Sequence, residues 1–493
     1  MSATKATATN AGAREFVLDT AVVAVAQLLL KLRGLIALPL IVKALGTAEY
    51  GVWAQTLALI DFAGSLLGAN LYHPLVRFLA EKQADGRTIY GTLLAATVAA
   101  SALGGAAIWA SAEGLSRYLL SDAGYLWHVR AGAVLVLCYN VRLLNLNAYR
   151  ATGRLKERSL FELVSTFGQL AGVALLLWQG QTLLRVLVFM AAWEAAFAAL
   201  LTWHVSTIVG WGAPSRRVLS EALRYSLPLM PAVLSISLLD RGDRFVVGYY
   251  EGAEGVGVYS ANYALAALLM LFQTPLQMTL LPKVAALWAT ERAAAQRYIS
   301  LSNKAFLTLA IPYVAAMPLV APRLLESLGN SKIAGAGGVL TLLVSAGVMM
   351  WGVSIMQSQV FYGARRTLPV GIVTGAAAAL NLGLNFALVP LMGISGAALA
   401  TFVSFGAACA ALYLLSRDIF GLDFYPAHLL KCAAAAVLMA GVLWALLAGA
   451  GAPLIPAAAA GALAYFAALW LLRAFGAEEV SILRGLLRLP ART

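Results

Sequence analysis

Charged side chains placed inside otherwise apolar stretches are where this chain could do chemistry. Lys31 and Arg33 lie near the middle of the first stretch, Asp61 in the second and Arg142 in the fourth. The seventh carries Asp240-Arg241-Gly242-Asp243-Arg244 toward its outer end. An ionised group at mid-bilayer costs at least about 2.5 kcal/mol, so each must face a wet interior or an opposite charge. Guanidinium offers forked donors that suit phosphate oxygens, which points to a cavity gripping an anionic headgroup.

Spacing narrows the candidates. Lys31 and Arg33 are two residues apart and point about 200° from each other on a helix, so they cannot both face one cavity squarely. Arg33 is the better placed, because Lys31 lies nearer the cytoplasmic half. Asp240 and Arg244 stand four apart and Arg241 and Arg244 three apart, so this helix can neutralise part of its own charge and still present guanidinium along one edge. The expected anion-binding set is Arg33, Arg241, Arg244, Lys31 and Arg142. The competing expectation is a set of structural ion pairs, Asp61 with Arg33 and Asp240 with Arg244. Asp61, Asp240 and Asp243 are candidates to carry protons in a coupled cycle, although a carboxylate beside arginine stays ionised. Asn381 and Asn385 share one helical face, suited either to interhelical hydrogen bonds or to sugar contacts.

Other chemistries lack their residues. Cys138, Cys409 and Cys432 are far apart and sit in apolar runs, as small buried hydrophobes do. His73, His128, His204 and His428 fall near helix ends and form no pair with metal-ligand spacing, so no metal is expected. A phosphate-cradling G-x-x-x-x-G-K-[ST] is missing, and the longest outer loop, Glu113 to His128, is too modest for a glycosyltransferase site. The expectation is a transporter without cofactor, not an enzyme.

Transmembrane helices must position these charges. Of 493 residues, 61% are hydrophobic and 12% charged, about half the charged fraction of a soluble domain. Mean hydropathy is +0.82. Hydropathy predicts an all-α polytopic membrane protein of about fourteen spans, near 18–43, 51–76, 88–110, 126–149, 159–180, 183–209, 222–249, 256–282, 299–321, 336–362, 368–390, 393–416, 427–449 and 453–475. The formal charge of +13 would suggest nucleic acid in a soluble chain. Here the basic residues punctuate the spans: 24 of 35 fall on one side, 6 on the other and 5 within spans. This asymmetry places both termini in the cytoplasm and leaves no nucleic-acid partner. The first stretch is too long and too interrupted for a cleaved signal peptide.

The sequence also repeats. Gly46-Thr47-Ala48-Glu49-Tyr50-Gly51-Val52-Trp53 opens the second span, and Gly252-Ala253-Glu254-Gly255-Val256-Gly257-Val258-Tyr259 opens the eighth, 206 residues later. Gln169 and Val173 of the fifth span echo Asn381 and Asn385 of the eleventh at an offset of 212. Two pseudo-symmetric six-helix bundles plus two C-terminal helices, around a central cavity, would give these offsets. The expected organisation is a cytoplasmic tail over 1–17, bundles over 18–215 and 216–416, an extra helix pair over 417–475 and a cytoplasmic tail over 476–493.

Three segments carry a family resemblance. Leu45-Gly46-Thr47-Ala48-Glu49-Tyr50-Gly51-Val52-Trp53, Asp243-Arg244-Phe245-Val246-Val247-Gly248 leading into Gly257-Val258-Tyr259, and Leu380-Asn381-Leu382-Gly383-Leu384-Asn385 followed by Gly393-Ile394-Ser395-Gly396-Ala397-Ala398-Leu399-Ala400-Thr401 resemble the polysaccharide-transporter family of oligosaccharide flippases. That family belongs to the multidrug/oligosaccharidyl-lipid/polysaccharide exporter superfamily. The resemblance implies alternating access by rocking bundles, with basic side chains of the first and neighbouring helices lining the cavity. It implies translocation of an undecaprenyl-diphosphate-linked repeat unit across the bacterial inner membrane, and a groove for the lipid tail at the thirteenth and fourteenth spans. Few charges in the second span make an exopolysaccharide or O-antigen unit a better match than a peptidoglycan precursor. Membrane lipid, the lipid-linked oligosaccharide, and polysaccharide polymerase and chain-length proteins are the implied partners. A cation-coupled multidrug exporter of the same superfamily and a non-transporting membrane partner of a polysaccharide-synthesis complex remain the alternatives.

Overall fold

The computed structural model describes residues 29–30, 32–68, 70–81, 85–419 and 421–474. Lys31 and residues 18–28 of the first expected span lie outside the described residues. Within them the chain forms α-helices joined by short turns, with no strand. Among the described residues, eleven helices are long and apolar enough to cross a membrane, twelve if the bent pair Thr47–Leu67 and Tyr72–Glu81 is one span. The protein is thus an all-α polytopic membrane protein.

Several expected spans are built differently from what hydropathy suggested. The second bends by 49° between its two helices, where Asn70 takes a left-handed φ of 51°. The seventh and eighth belong to one helical run, Arg216–Ala267, interrupted by a 3-10 turn at Leu227–Leu229 with a proline in its first turn. It is interrupted again at Gly252, whose φ of 67° is open to glycine at little steric cost. The run ends in a tight turn, where the N–H groups of Leu268 and Leu269 bond the carbonyls of Leu265 and Ala266. A separate helix, Met270–Trp288, follows. Hydropathy stays high through that turn, so it gave no signal of a break within 256–282.

By internal contacts the chain divides into two compact units. One comprises residues 1–264, 328–330 and 374–401, the other 265–327, 331–373 and 402–493. The core of the first gathers Leu71, Leu75, Tyr90, Leu93, Tyr149 and Leu201. The core of the second packs Cys432, Met439, Tyr465 and Leu469 against Ile311 and Leu319. There the hydroxyl of Tyr465 donates to the Thr308 carbonyl at 2.7 Å. Arg323 donates to the carbonyls of Leu447 and Ala452, placing positive charge at the C-terminal end of the Pro426–Trp444 helix and its π turn, where the helix dipole favours it.

Within the first unit the two copies of the glycine motif meet each other. Gly46 and Gly252 both have positive φ, 96° and 67°, and each starts a helical segment. Five residues on, Gly51 and Gly257 make the crossing possible. A Cβ on Gly51 would overlap the carbonyl oxygen of Ala253, and a Cβ on Gly257 would overlap that of Thr47. Since Ala253 is the repeat equivalent of Thr47, the crossing is reciprocal. Small residues allow such backbone approach between helices in lipid.

Candidate functional site

The cavity of interest lies wholly in the first unit. It encloses about 390 Å³ and is lined by Asp61, Gly64, Ser65, Asn70, Thr97, Tyr139, Asn140, Ser237, Asp240 and Arg241, among others. The helices Thr47–Leu67, Gly86–Ala110, Leu126–Ala151 and Met230–Ala267 supply these residues, apart from Asn70, which sits in the bend after Leu67.

Arg241 defines the charged wall. Its Nη2 forms an ion pair with Asp61 Oδ2 at 2.6 Å, with the two side chains 37% and 28% exposed. Partial exposure makes this a modest bond, about 1 kcal/mol or less, which a competing anion can displace. Asp240 lines the same cavity, and its carboxylate makes no ion pair or hydrogen bond among the described residues. Arg33 is half-buried and lies within electrostatic reach of Glu194, Arg142, Asp61 and Arg241. No carboxylate pairs with it among the described residues. Asp61 therefore takes Arg241 as its partner, not Arg33.

Arg142 is held elsewhere. Its Nε donates to Glu194 Oε2 at 2.6 Å, with the side chains 11% and 9% exposed, and Gln169 donates to the other oxygen of Glu194 at 3.3 Å. The Arg142 guanidinium also lies over the Tyr139 ring at 5.4 Å, which ties this pair to the cavity wall. Glu194 is the compensating charge that sequence spacing alone did not link to Arg142, 52 residues away.

Arg244 is committed as well. It is 7% exposed, donates to the Asp240 carbonyl at 2.8 Å, to Asp243 Oδ1 at 3.3 Å and to Ser260 Oγ at 3.2 Å, and stacks over Tyr263. Asp243 in turn accepts from the Tyr259 hydroxyl at 2.5 Å. Arg244 thus meets the backbone of Asp240 and the carboxylate of Asp243, and it does not line the cavity that Arg241 faces. Asn381 and Asn385 are buried, and Asn385 Nδ2 donates to Asn381 O at 2.8 Å and to its Oδ1 at 3.2 Å. They engage each other away from this cavity.

The cavity residues missed by sequence include Thr97, Tyr139 and Asn140, as well as Ser65, Asn70 and Ser237. Tyr139 and Asn140 did leave a trace, a polar pair two residues before Arg142 in an apolar span.

Comparison with known proteins agrees with this architecture. Residues 16–288 match the family model described as "Polysaccharide biosynthesis protein". Two proteins of Haloferax volcanii align with the chain: "Probable flippase AglR", 26% identical over 168 residues, covering 33% of this chain and 34% of that protein, and "Probable low-salt glycan biosynthesis flippase Agl15", 23% identical over 253 residues, covering 51% and 53%. The chain thus matches between about a third and a half of the length of these relatives. Among solved structures, the lipid II flippase MurJ in an inward closed conformation superposes with a TM-score of 0.75 at 13% identity, covering 92% of this chain and 98% of that one. An inward-facing multidrug resistance MATE family transporter gives 0.63 at 15%, covering 79% and 94%. At these identities the likeness is one of fold.

Proposed function

The chain belongs to the polysaccharide biosynthesis protein family, and on that basis we propose that it is a flippase for an undecaprenyl-diphosphate-linked oligosaccharide repeat unit of exopolysaccharide or O-antigen type. It acts by alternating access in the bacterial inner membrane, with both termini cytoplasmic. The observation that carries this reading is Arg241 on the cavity wall, held among the described residues by a partly exposed bond to Asp61, with Arg33 in electrostatic reach. A diphosphate brings more negative charge than one carboxylate and offers oxygens for forked donation, so it competes with Asp61 for Arg241. Arg33 adds a second positive charge to the same region. Replacing Arg33 or Arg241 by Ala is expected to stop surface polysaccharide formation while the protein stays in the membrane. Normal polysaccharide from both variants would overturn the reading.

A second reading, a cation-coupled multidrug exporter, has the carboxylates of Asp61 and Asp240 in its favour, since both line the cavity. Drug sensitivity in an exporter-deficient strain separates the two: expression that raises resistance supports the exporter, and unchanged sensitivity supports the flippase.

A further inference from the structure

Besides its charged residues, the same cavity is lined by neutral ones, Thr97, Tyr139 and Asn140 with Ser65, Asn70 and Ser237. Ser65 and Ser237 bond each other through their hydroxyls at 3.0 Å, which leaves Thr97, Tyr139 and Asn140 as the neutral wall. Thr97 is 2% exposed, and its hydroxyl has no hydrogen-bond partner among the described residues. Burying a hydroxyl without a partner is costly, and valine would have the same shape without that cost. Asn140 is 4% exposed and is fixed by donation from Nδ2 to Ser101 Oγ at 2.9 Å, which leaves its carbonyl oxygen as an acceptor. Tyr139 brings an aromatic ring to the wall, braced by the Arg142 guanidinium at 5.4 Å.

Neutral donors and acceptors beside an aromatic ring match a pyranose. Its hydroxyls both give and accept hydrogen bonds, and its C–H face packs on a ring. A drug-like cation would need neither the hydroxyl nor the amide. The volume of about 390 Å³ suits a headgroup-sized ligand, not a whole oligosaccharide. Arg241 lines this same cavity, so the first sugar of a diphosphate held by it would have Thr97, Tyr139 and Asn140 within the same enclosure.

We propose that this neutral wall is a saccharide subsite for the sugar bonded directly to the diphosphate, with Thr97 and Asn140 as hydrogen-bond partners and Tyr139 as platform. The inference rests on the flippase reading and adds to it a contact that reads the sugar.

The test is binding to the full chain in lipid nanodiscs, comparing undecaprenyl diphosphate with the same lipid carrying one glucose, galactose, N-acetylglucosamine or N-acetylgalactosamine. At least one sugar-bearing lipid is expected to bind about tenfold more tightly than the bare diphosphate. Thr97→Val should remove about fivefold of that gain, and Thr97→Val with Asn140→Leu should bring the sugar-bearing lipid down to the level of the bare one. Thr97→Ser, which keeps the hydroxyl, should retain the gain. Should Asn140→Leu impair folding, Thr97→Val against Thr97→Ser carries the test alone. If the bare diphosphate binds as tightly as every sugar-bearing lipid, or if Thr97→Val keeps the full gain, the subsite is overturned while the diphosphate grip stands. If none of the lipids binds, the cargo reading falls and the subsite with it.

Discussion

Arg241 and Asp61 join two helices whose sequence positions are 180 residues apart, through one 2.6 Å contact between partly exposed side chains. The bond is weak enough to exchange, and that gives the two residues different expected roles. Asp61→Asn should keep the fold and leave surface polysaccharide at half the wild-type amount or more, whereas Arg241→Ala should abolish it. Quantifying polysaccharide beside membrane-bound protein decides the matter. Complete loss in Asp61→Asn would instead assign its carboxylate a part in coupling.

The pair Arg142–Glu194 is a different case, because both partners are nearly buried. Glu194→Ala strands a guanidinium and should destabilise the protein by about 3–5 kcal/mol, while Arg142→Met combined with Glu194→Leu should recover most of that loss. Thermal unfolding in detergent measures both. A stable double variant that still supports polysaccharide formation would show that Arg142 touches no cargo.

For Arg244, whose donors are taken by Asp240, Asp243 and Ser260, the expected loss is one of stability. Tyr259→Phe removes the hydroxyl that Asp243 accepts and should cost about 1.5–3 kcal/mol, as hydrogen bonds to charged groups do. Arg244→Lys, which cannot reproduce the planar fork, should lower the unfolding temperature further. If Arg244→Lys unfolds at the wild-type temperature but binds undecaprenyl diphosphate poorly, its place is in cargo binding after all.

Sequence made much of this legible. The apolar runs announced the helices, and the glycine motif announced two matched helix starts, because a spacing of 206 residues preserves both the positive φ at Gly46 and Gly252 and the open faces at Gly51 and Gly257. The charges of the cavity were visible one by one. Their pairing was not: Asp61 takes Arg241 and Arg142 takes Glu194 because of how helices rotate against each other, which one strand of letters does not encode. Thr97 left no mark at all, since a threonine among alanines in a span is ordinary helix-packing material. Only its lack of a partner inside a cavity sets it apart.

The reciprocal crossing yields a prediction about size. Gly51→Val and Gly257→Val each drive a side chain into a carbonyl group of the facing copy, and each should cost about 3 kcal/mol or more, beyond the usual range for overpacking. The two should lower the unfolding temperature by similar amounts. A tolerant Gly257 beside an intolerant Gly51 would show that the copies are not equivalent.

Because the two motifs are each other's docking surface, neither is free to change alone. Whatever widens the one at Thr47 or Gly51 must be answered at Ala253 or Gly257 in the other, so the two segments are bound to a shared fit. In an engineered chimera, the segments to exchange are those whose pairs at this contact are carried over together.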